Sequence, residues 1–89
     1  DVTAHPQYLG TLGWAHFKRG DRAQAIADLT GAISRLPDAA ELHYRLGMVL
    51  AANGDLDQAR LHLTRALAGR TRYDGRGEAR AALAELGPG

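Results

Sequence analysis

The feature that most constrains this 89-residue chain is an internal repeat with a period of 34 residues. Shifting the sequence by 34 positions superposes nine residues on identical residues without a gap. The matched pairs are Leu12 and Leu46, Gly13 and Gly47, Gly20 and Gly54, Asp21 and Asp55, Gln24 and Gln58, Ala25 and Ala59, Leu29 and Leu63, Thr30 and Thr64, and Ala32 and Ala66. A fixed period of this length is typical of chains built from stacked structural units. The sequence therefore divides into one unit over residues 6–39 and a second over 40–73.

Each unit is predicted to form two helices separated by a Gly-Asp turn. Apolar residues recur at helical spacing on both sides of that turn, as Leu12 does before it and Leu29 after it in the first unit. Gly13 and Gly47 fall on the packing stripe of the first helices, where a missing side chain lets paired helices approach closely. The predicted helices lie near residues 6–19, 22–35, 39–52, 56–68 and 77–86, and no strand is expected.

The tripeptide Arg19-Gly20-Asp21 has the sequence of a cell-adhesion ligand, but the second unit carries Asn53-Gly54-Asp55 at the same place. In both turns the glycine is expected to end a helix in the left-handed conformation, and the aspartate to cap the next helix. Gln24 and Gln58, three residues later, complete the capping-box pattern. Because the glycine and the aspartate recur and the arginine does not, the tripeptide is interpreted as a turn.

A helix-turn-helix unit of this length, with Leu-Gly, Gly-Asp and two spaced alanines, resembles the tetratricopeptide repeat over residues 6–73. The residues that carry the resemblance are Leu12, Gly13, Gly20, Asp21, Ala25, Leu29, Ala32 and Pro37 in the first unit and Leu46, Gly47, Gly54, Asp55, Ala59, Leu63 and Ala66 in the second. The sequence departs from the family pattern where a large aromatic residue is expected early in each unit, at Leu9 and His43, and where Thr71 replaces the closing proline. The resemblance implies an all-α, right-handed solenoid of two repeats whose first helices line a concave groove.

The segment after the second unit is predicted to be a capping helix. Ala79, Ala82, Leu83 and Leu86 follow the i, i+3, i+4, i+7 spacing of one helical face. This pattern resembles the terminal helix that covers the last repeat of such arrays. Residues 1–89 are therefore expected to form a single module, with its capping helix at about 77–86, within a longer protein.

Composition narrows the classes of function. The charged fraction is 24% and the formal net charge is +1, so no whole-molecule field attracts nucleic acid or an anionic membrane. The absence of cysteine excludes disulfides and thiolate sites. Basic charge is carried almost entirely by arginine, since Lys18 is the only lysine, and we interpret this bias as bacterial. The sequence does not distinguish the cytoplasm from the periplasm. The combination of TLGW at 11–14, ELHYRLGMVLAANGD at 41–55, an Arg/Gly loop and a short Ala/Leu helix also resembles, more weakly, the C-terminal end of bacterial cell-envelope tetratricopeptide proteins. Some of those proteins work in exopolysaccharide or exosortase systems.

No group of residues in the sequence predicts catalysis. The four histidines do not pair at i+3 or i+4, and Ser34 has no histidine or acid partner in its pattern. His16 and His43 fall at packing positions, which favours a structural role over metal binding. We therefore expect no enzyme activity, no metal site and no cofactor.

The expected function is that of a non-catalytic scaffold that binds a peptide or a partner protein in the concave groove. The residues that the family register places on the groove are Gln7, Thr11, Trp14, Lys18, Glu41, Tyr44, Arg45 and Met48. Trp, Tyr, Arg and Met are residue types enriched at binding interfaces. The alternative for Trp14 and Met48 is that they only fill space between neighbouring first helices. The Lys and Asn motif with which one subgroup of the family grips a C-terminal carboxylate is absent.

An arginine-rich segment at residues 60–80 provides the alternative function, binding of an acidic partner or a nucleic acid. Its members are Arg60, Arg65, Arg70, Arg72, Arg76 and Arg80. Only Tyr73 is interleaved among them as an aromatic residue, which favours a solvated outer face and argues against nucleic acid as the partner.

A homodimer is also predicted, through the N-terminal face of the first unit. The segment "DVTAH" is too short to form a covering helix. The expected open face carries Tyr8 and Ala15 on the first helix and Ile26 and Ile33 on the second. An uncovered apolar end of a repeat array marks an interaction site.

Overall fold

The apolar periodicity of the chain corresponds to five helices in the computed structural model, which describes residues 5–87 and contains no strand in that range. The helices are α1 (Pro6–Lys18), α2 (Arg22–Arg35), α3 (Ala40–Ala52), α4 (Leu56–Ala68) and α5 (Arg76–Leu86). The predicted all-α fold is confirmed, and every predicted helix end lies within one residue of the observed one.

Within each repeat, a glycine of the first helix lies directly against a leucine of the second. A Cβ atom on Gly13 would lie 2.9 Å from Cγ of Leu29, and one on Gly47 would lie 2.7 Å from Cγ of Leu63. Both leucines are fully buried. Because each leucine occupies the space that a side chain on the glycine would need, α1 packs closely on α2, and α3 packs closely on α4.

The second helix of the first repeat packs on α3 as well as on α1. Ile26 and Ile33 are partly buried and pack against the core cluster to which α3 contributes Leu42 and Leu46. The expectation that these isoleucines belong to an open N-terminal face is therefore wrong, because the second helix of a repeat faces the next repeat along the array.

Tyr8 and Ala15 are exposed on α1, as the predicted dimer interface requires. Residues 1–4, which were expected to be too short to cover this face, lie outside the described residues. Dimerisation through the N-terminal face remains a prediction.

Both turns contain a left-handed glycine, as expected: φ is 89° at Gly20 and 85° at Gly54. In the first turn the carboxylate of Asp21 accepts a hydrogen bond from the backbone N–H of Gln24 at 3.2 Å, which is the predicted N-cap. The predicted capping box is wrong, however. The backbone N–H of Asp21 already donates to the carbonyl of His16 at 2.9 Å, and the Gln24 side chain instead donates to Asp28.

The second turn differs from the first in how its aspartate is used. The side chain of Asp55 makes no capping hydrogen bond, so the predictions of a cap at Asp55 and of a capping box with Gln58 are both wrong. Its carboxylate accepts from the side-chain amide of Asn53 at 2.9 Å. Asn53 in turn accepts from Nε of Arg22 at 3.3 Å, which joins the second turn to the start of α2. The stabilisation of about 1 kcal/mol that a side-chain N-cap provides therefore belongs to the first turn alone.

The loop between α4 and α5 is held by Arg76. Its guanidinium donates hydrogen bonds to four carbonyl groups at the end of α4 and in the loop, those of Ala66, Leu67, Gly69 and Thr71, at 2.9–3.5 Å. The hydroxyl of Tyr73 also donates to the Ala66 carbonyl at 2.8 Å. These bonds satisfy carbonyl groups that a helix C-terminus leaves without intrahelical partners, and they fix the path by which the chain enters α5.

Replacing glycine by alanine should have opposite effects on stability at positions 47 and 31, although helix propensity alone favours alanine at both. Gly47→Ala should lower the free energy of unfolding by about 1–3 kcal/mol, because the new methyl group overlaps Leu63. Gly31→Ala, in the interior of α2, meets only a side-chain carbon of Leu9 at 3.9 Å. It should raise the free energy of unfolding by up to about 1 kcal/mol through helix propensity. Urea denaturation of both variants checks this, and effects of the same sign would contradict it.

Candidate functional site

The candidate groove lies along α1 and α3, the first helices of the two repeats, and reaches α5. α3 contacts both α1 and α5, so the start of α5 occupies the place of a third first helix. Two cavities lie along this surface, and each is lined by residues from more than one of these elements.

The larger of the two, called here the Trp14 cavity, has a volume of about 380 Å³. It is lined by Trp14, Lys18, Glu41, Tyr44, Arg45, Asp74, Gly75 and Glu78. The Trp14 ring lies 5.6 Å from the ring of Tyr44, measured between centroids. The ammonium group of Lys18 and the guanidinium of Arg45 lie 5.9 and 6.0 Å from the same ring. Both cations are within the range of a cation–π interaction.

Tyr44 is the most enclosed side chain of the Trp14 cavity, with 8% of its surface exposed. A Cβ atom on Gly75 would lie 2.4 Å from the Tyr44 ring, and Gly75 has a φ of 104°. Glycine is required at position 75 for two reasons: the backbone is left-handed there, and the Tyr44 ring fills the space that a side chain would need. Burial, followed by the nearby carboxylate of Glu78, raises the pKa of the Tyr44 hydroxyl above its ordinary value of 10.0.

The smaller cavity, called here the Thr11 cavity, has a volume of about 300 Å³. Its lining residues are Gln7, Thr11, Leu36, Ala39, Glu41, Leu42 and Arg45. Glu41 and Arg45, which form an ion pair at 3.4 Å, line both cavities. The two cavities therefore adjoin along the groove.

A family model described as tetratricopeptide repeat matches residues 11–77, more than half of the chain. The chain belongs to the tetratricopeptide repeat family. Tetratricopeptide repeats generally mediate protein–protein interactions, and the family typically consists of non-catalytic scaffolds. No curated protein matches the chain.

Seven of the eight residues assigned to the groove from the tetratricopeptide register line the two cavities. Gln7 and Thr11 line the Thr11 cavity, and the other five, from Trp14 to Arg45, line the Trp14 cavity. The eighth, Met48, lines neither; it is partly buried and packs against the core cluster that contains Tyr44. Trp14 packs against both core clusters and also lines a cavity. Asp74, Gly75 and Glu78 were not predicted, because they reach the groove only through the path of the loop before α5.

A pair of histidines forms a second polar centre, which sequence reasoning missed. Nδ1 of His43 lies 2.9 Å from Nδ1 of His62, and Nε2 of His43 lies 2.7 Å from the carbonyl oxygen of Pro37. A carbonyl can only accept, so Nε2 of His43 is the donor there, and its Nδ1 accepts from the Nδ1–H of His62. The pair ties the turn before α3 to both helices of the second repeat. One signal was present in the sequence: His62 occupies the position equivalent to Asp28, so both units carry a polar residue there.

The tetratricopeptide fold itself uses two of the six arginines between residues 60 and 80. Arg76 holds the loop, and Arg60 forms an ion pair with Asp57 and donates to the Leu86 carbonyl. The remaining four, Arg65, Arg70, Arg72 and Arg80, are exposed. Binding of an acidic partner by this segment remains a prediction that depends on these four side chains.

Two kinds of feature are absent from the described residues. Among residues 5–87, no group of three or more His, Cys, Asp or Glu side chains is arranged to hold a metal ion. No helix in that range is long and apolar enough to cross a membrane.

The histidine pair makes the stability of the fold depend on pH. Burial, followed by the neighbouring His43 and Arg65, lowers the pKa of His62 from its ordinary value of 6.5. Below about that pH the unfolded chain binds more protons at this position than the folded chain does. The free energy of unfolding should therefore fall as the pH is lowered from 7.5 toward the folded pKa, and it should fall less in His62→Asn. Urea denaturation at several pH values checks this, with His5→Asn as the control at an exposed histidine. An equal pH dependence in all three proteins would contradict the assignment.

Proposed function

We propose that this tetratricopeptide module binds an extended segment of a partner protein in the groove formed by α1, α3 and the start of α5. The observation that supports the proposal most strongly is the pair of adjoining cavities that share Glu41 and Arg45. An extended peptide presents its side chains at regular intervals, and neighbouring cavities along a groove are suited to receive them.

The chemistry of the groove also supports this function. Trp14, Tyr44 and Arg45 are of the types that most often dominate binding energy at interfaces, and all three meet at one cavity. Trp14 is half-buried and is held by Phe17 as well as Tyr44, with ring centroids 5.2 and 5.6 Å away. A side chain held in place loses little conformational entropy on binding, so the groove is preorganised.

Blocking the Thr11 cavity tests the proposal without disturbing the core. Thr11 is exposed, so Thr11→Arg should fold normally while placing a long side chain across the groove. Peptides selected from a random library on the wild-type chain should bind this variant at least about tenfold more weakly, a loss of about 1.4 kcal/mol. Fluorescence anisotropy with labelled peptides provides the dissociation constants.

Thr30→Arg is the matched control, because Thr30 is an exposed threonine on a second helix and lines neither cavity. It should leave the affinity unchanged, and circular dichroism should show the same helix content in both variants. Failure to select any binding peptide, or equal binding to the wild-type chain and Thr11→Arg, would contradict the proposal.

A further inference from the structure

The Trp14 cavity carries opposite charges on its two sides. Lys18 of α1 and Arg45 of α3 lie on one side, and Asp74 of the loop before α5 and Glu78 of α5 lie on the other. Among the described residues, the ion pairs are His16–Asp28, Arg45–Glu41 and Arg60–Asp57. Asp74 and Glu78 take part in none of them, and both are exposed. The α5 side of the cavity therefore carries two carboxylates that take part in none of these ion pairs.

The two cations on the other side of the cavity, Lys18 and Arg45, already have interaction partners. Arg45 is paired with Glu41, and Lys18 lies over the Trp14 ring. In total the cavity is lined by three carboxylates and two cations. The excess of negative charge lies on the α5 side, where it repels an anionic ligand and attracts a cationic one.

The hydroxyl of Tyr44 provides an independent indication of a ligand. Tyr44 is more than nine-tenths buried and lines this cavity, yet no side chain or backbone group within residues 5–87 forms a hydrogen bond with its hydroxyl. Among the described residues, the buried side-chain oxygen or nitrogen without a hydrogen-bond partner is Oδ2 of Asp28, so the Tyr44 oxygen is accessible from the cavity that the residue lines. A tyrosine hydroxyl is protonated at neutral pH, and its oxygen can accept a hydrogen bond from a donor that enters the cavity.

We propose that the Trp14 cavity receives a basic side chain of the partner peptide, held by Asp74 and Glu78 beside the hydroxyl of Tyr44. This inference rests on the proposed function, since it specifies the chemistry of the segment that the groove binds. An arginine suits the cavity best, because a guanidinium bonds carboxylates with several N–H groups and stacks on aromatic rings. The two carboxylates and the hydroxyl supply acceptors, and the rings of Tyr44 and Trp14 supply the aromatic surface.

The experiment begins with peptides selected from a random library on the wild-type chain. Basic residues should be enriched at one position of the selected sequences. A selected peptide that contains arginine there is then synthesised in two forms, with arginine and with citrulline, which has nearly the same shape and no charge. Binding of both forms is measured by fluorescence anisotropy to the wild-type chain and to the double variant Asp74→Asn, Glu78→Gln. The citrulline form should bind the wild-type chain about tenfold more weakly, and the two forms should bind the double variant equally well.

Glu85→Gln is the control, because Glu85 is an exposed carboxylate on the same helix that does not line the cavity. It should keep the full difference between the two peptides. Peptides that bind in a manner sensitive to Thr11→Arg, but that show no enrichment of basic residues and no effect of citrulline, would overturn this inference while leaving the proposed function intact. Peptides insensitive to Thr11→Arg would overturn the proposed function, and this inference with it.

Discussion

The fold depends on one close contact repeated in each unit, between a glycine of the first helix and a leucine of the second. At Gly13 and Gly47 a side chain would overlap Leu29 and Leu63, and these two leucines are among the largest fully buried side chains of the described residues. The contact lets the backbones of each helix pair approach closely, so that the remaining apolar residues meet in the core clusters. Because both pairs are built in the same way, the first helices α1 and α3 come to lie along one surface.

The groove follows from that arrangement and from the way the chain enters α5. Tyr44 is at the centre of it: its ring contacts Trp14 on one side and Gly75 on the other, so it connects the groove to the loop before α5. Arg76 holds the same loop against the end of α4. The carboxylates of Asp74 and Glu78 are thereby placed opposite the cations of the first helices. The contact between Tyr44 and Gly75 therefore both stabilises the loop before α5 and forms part of the candidate binding cavity.

The period of 34 residues was enough to predict α1 to α4 and the two left-handed turn glycines, because these depend on short-range patterns that the second unit repeats. The last helix, α5, was predicted from its own apolar spacing. The candidate groove residues were assigned from the register of the family, and seven of the eight line the two cavities. Interactions between elements could not be predicted in the same way. The histidine pair joins residues 19 positions apart on different helices, and the capping box fails because the backbone N–H of Asp21 is already bonded to His16. The role of Arg76 depends on the path of the loop, which no local pattern determines.

The most direct test of this account is a double-mutant cycle between positions 47 and 63. The free energy of unfolding is measured by urea denaturation for the wild-type chain, Gly47→Ala, Leu63→Ala and the double variant, with trimethylamine N-oxide present at one concentration so that all four remain folded. If Gly47 is needed because Leu63 fills the adjacent space, then Gly47→Ala should cost at least about 1 kcal/mol less in the Leu63→Ala background than in the wild type. Effects that add within about 0.5 kcal/mol would contradict the account, because they would show that the two positions do not share that space.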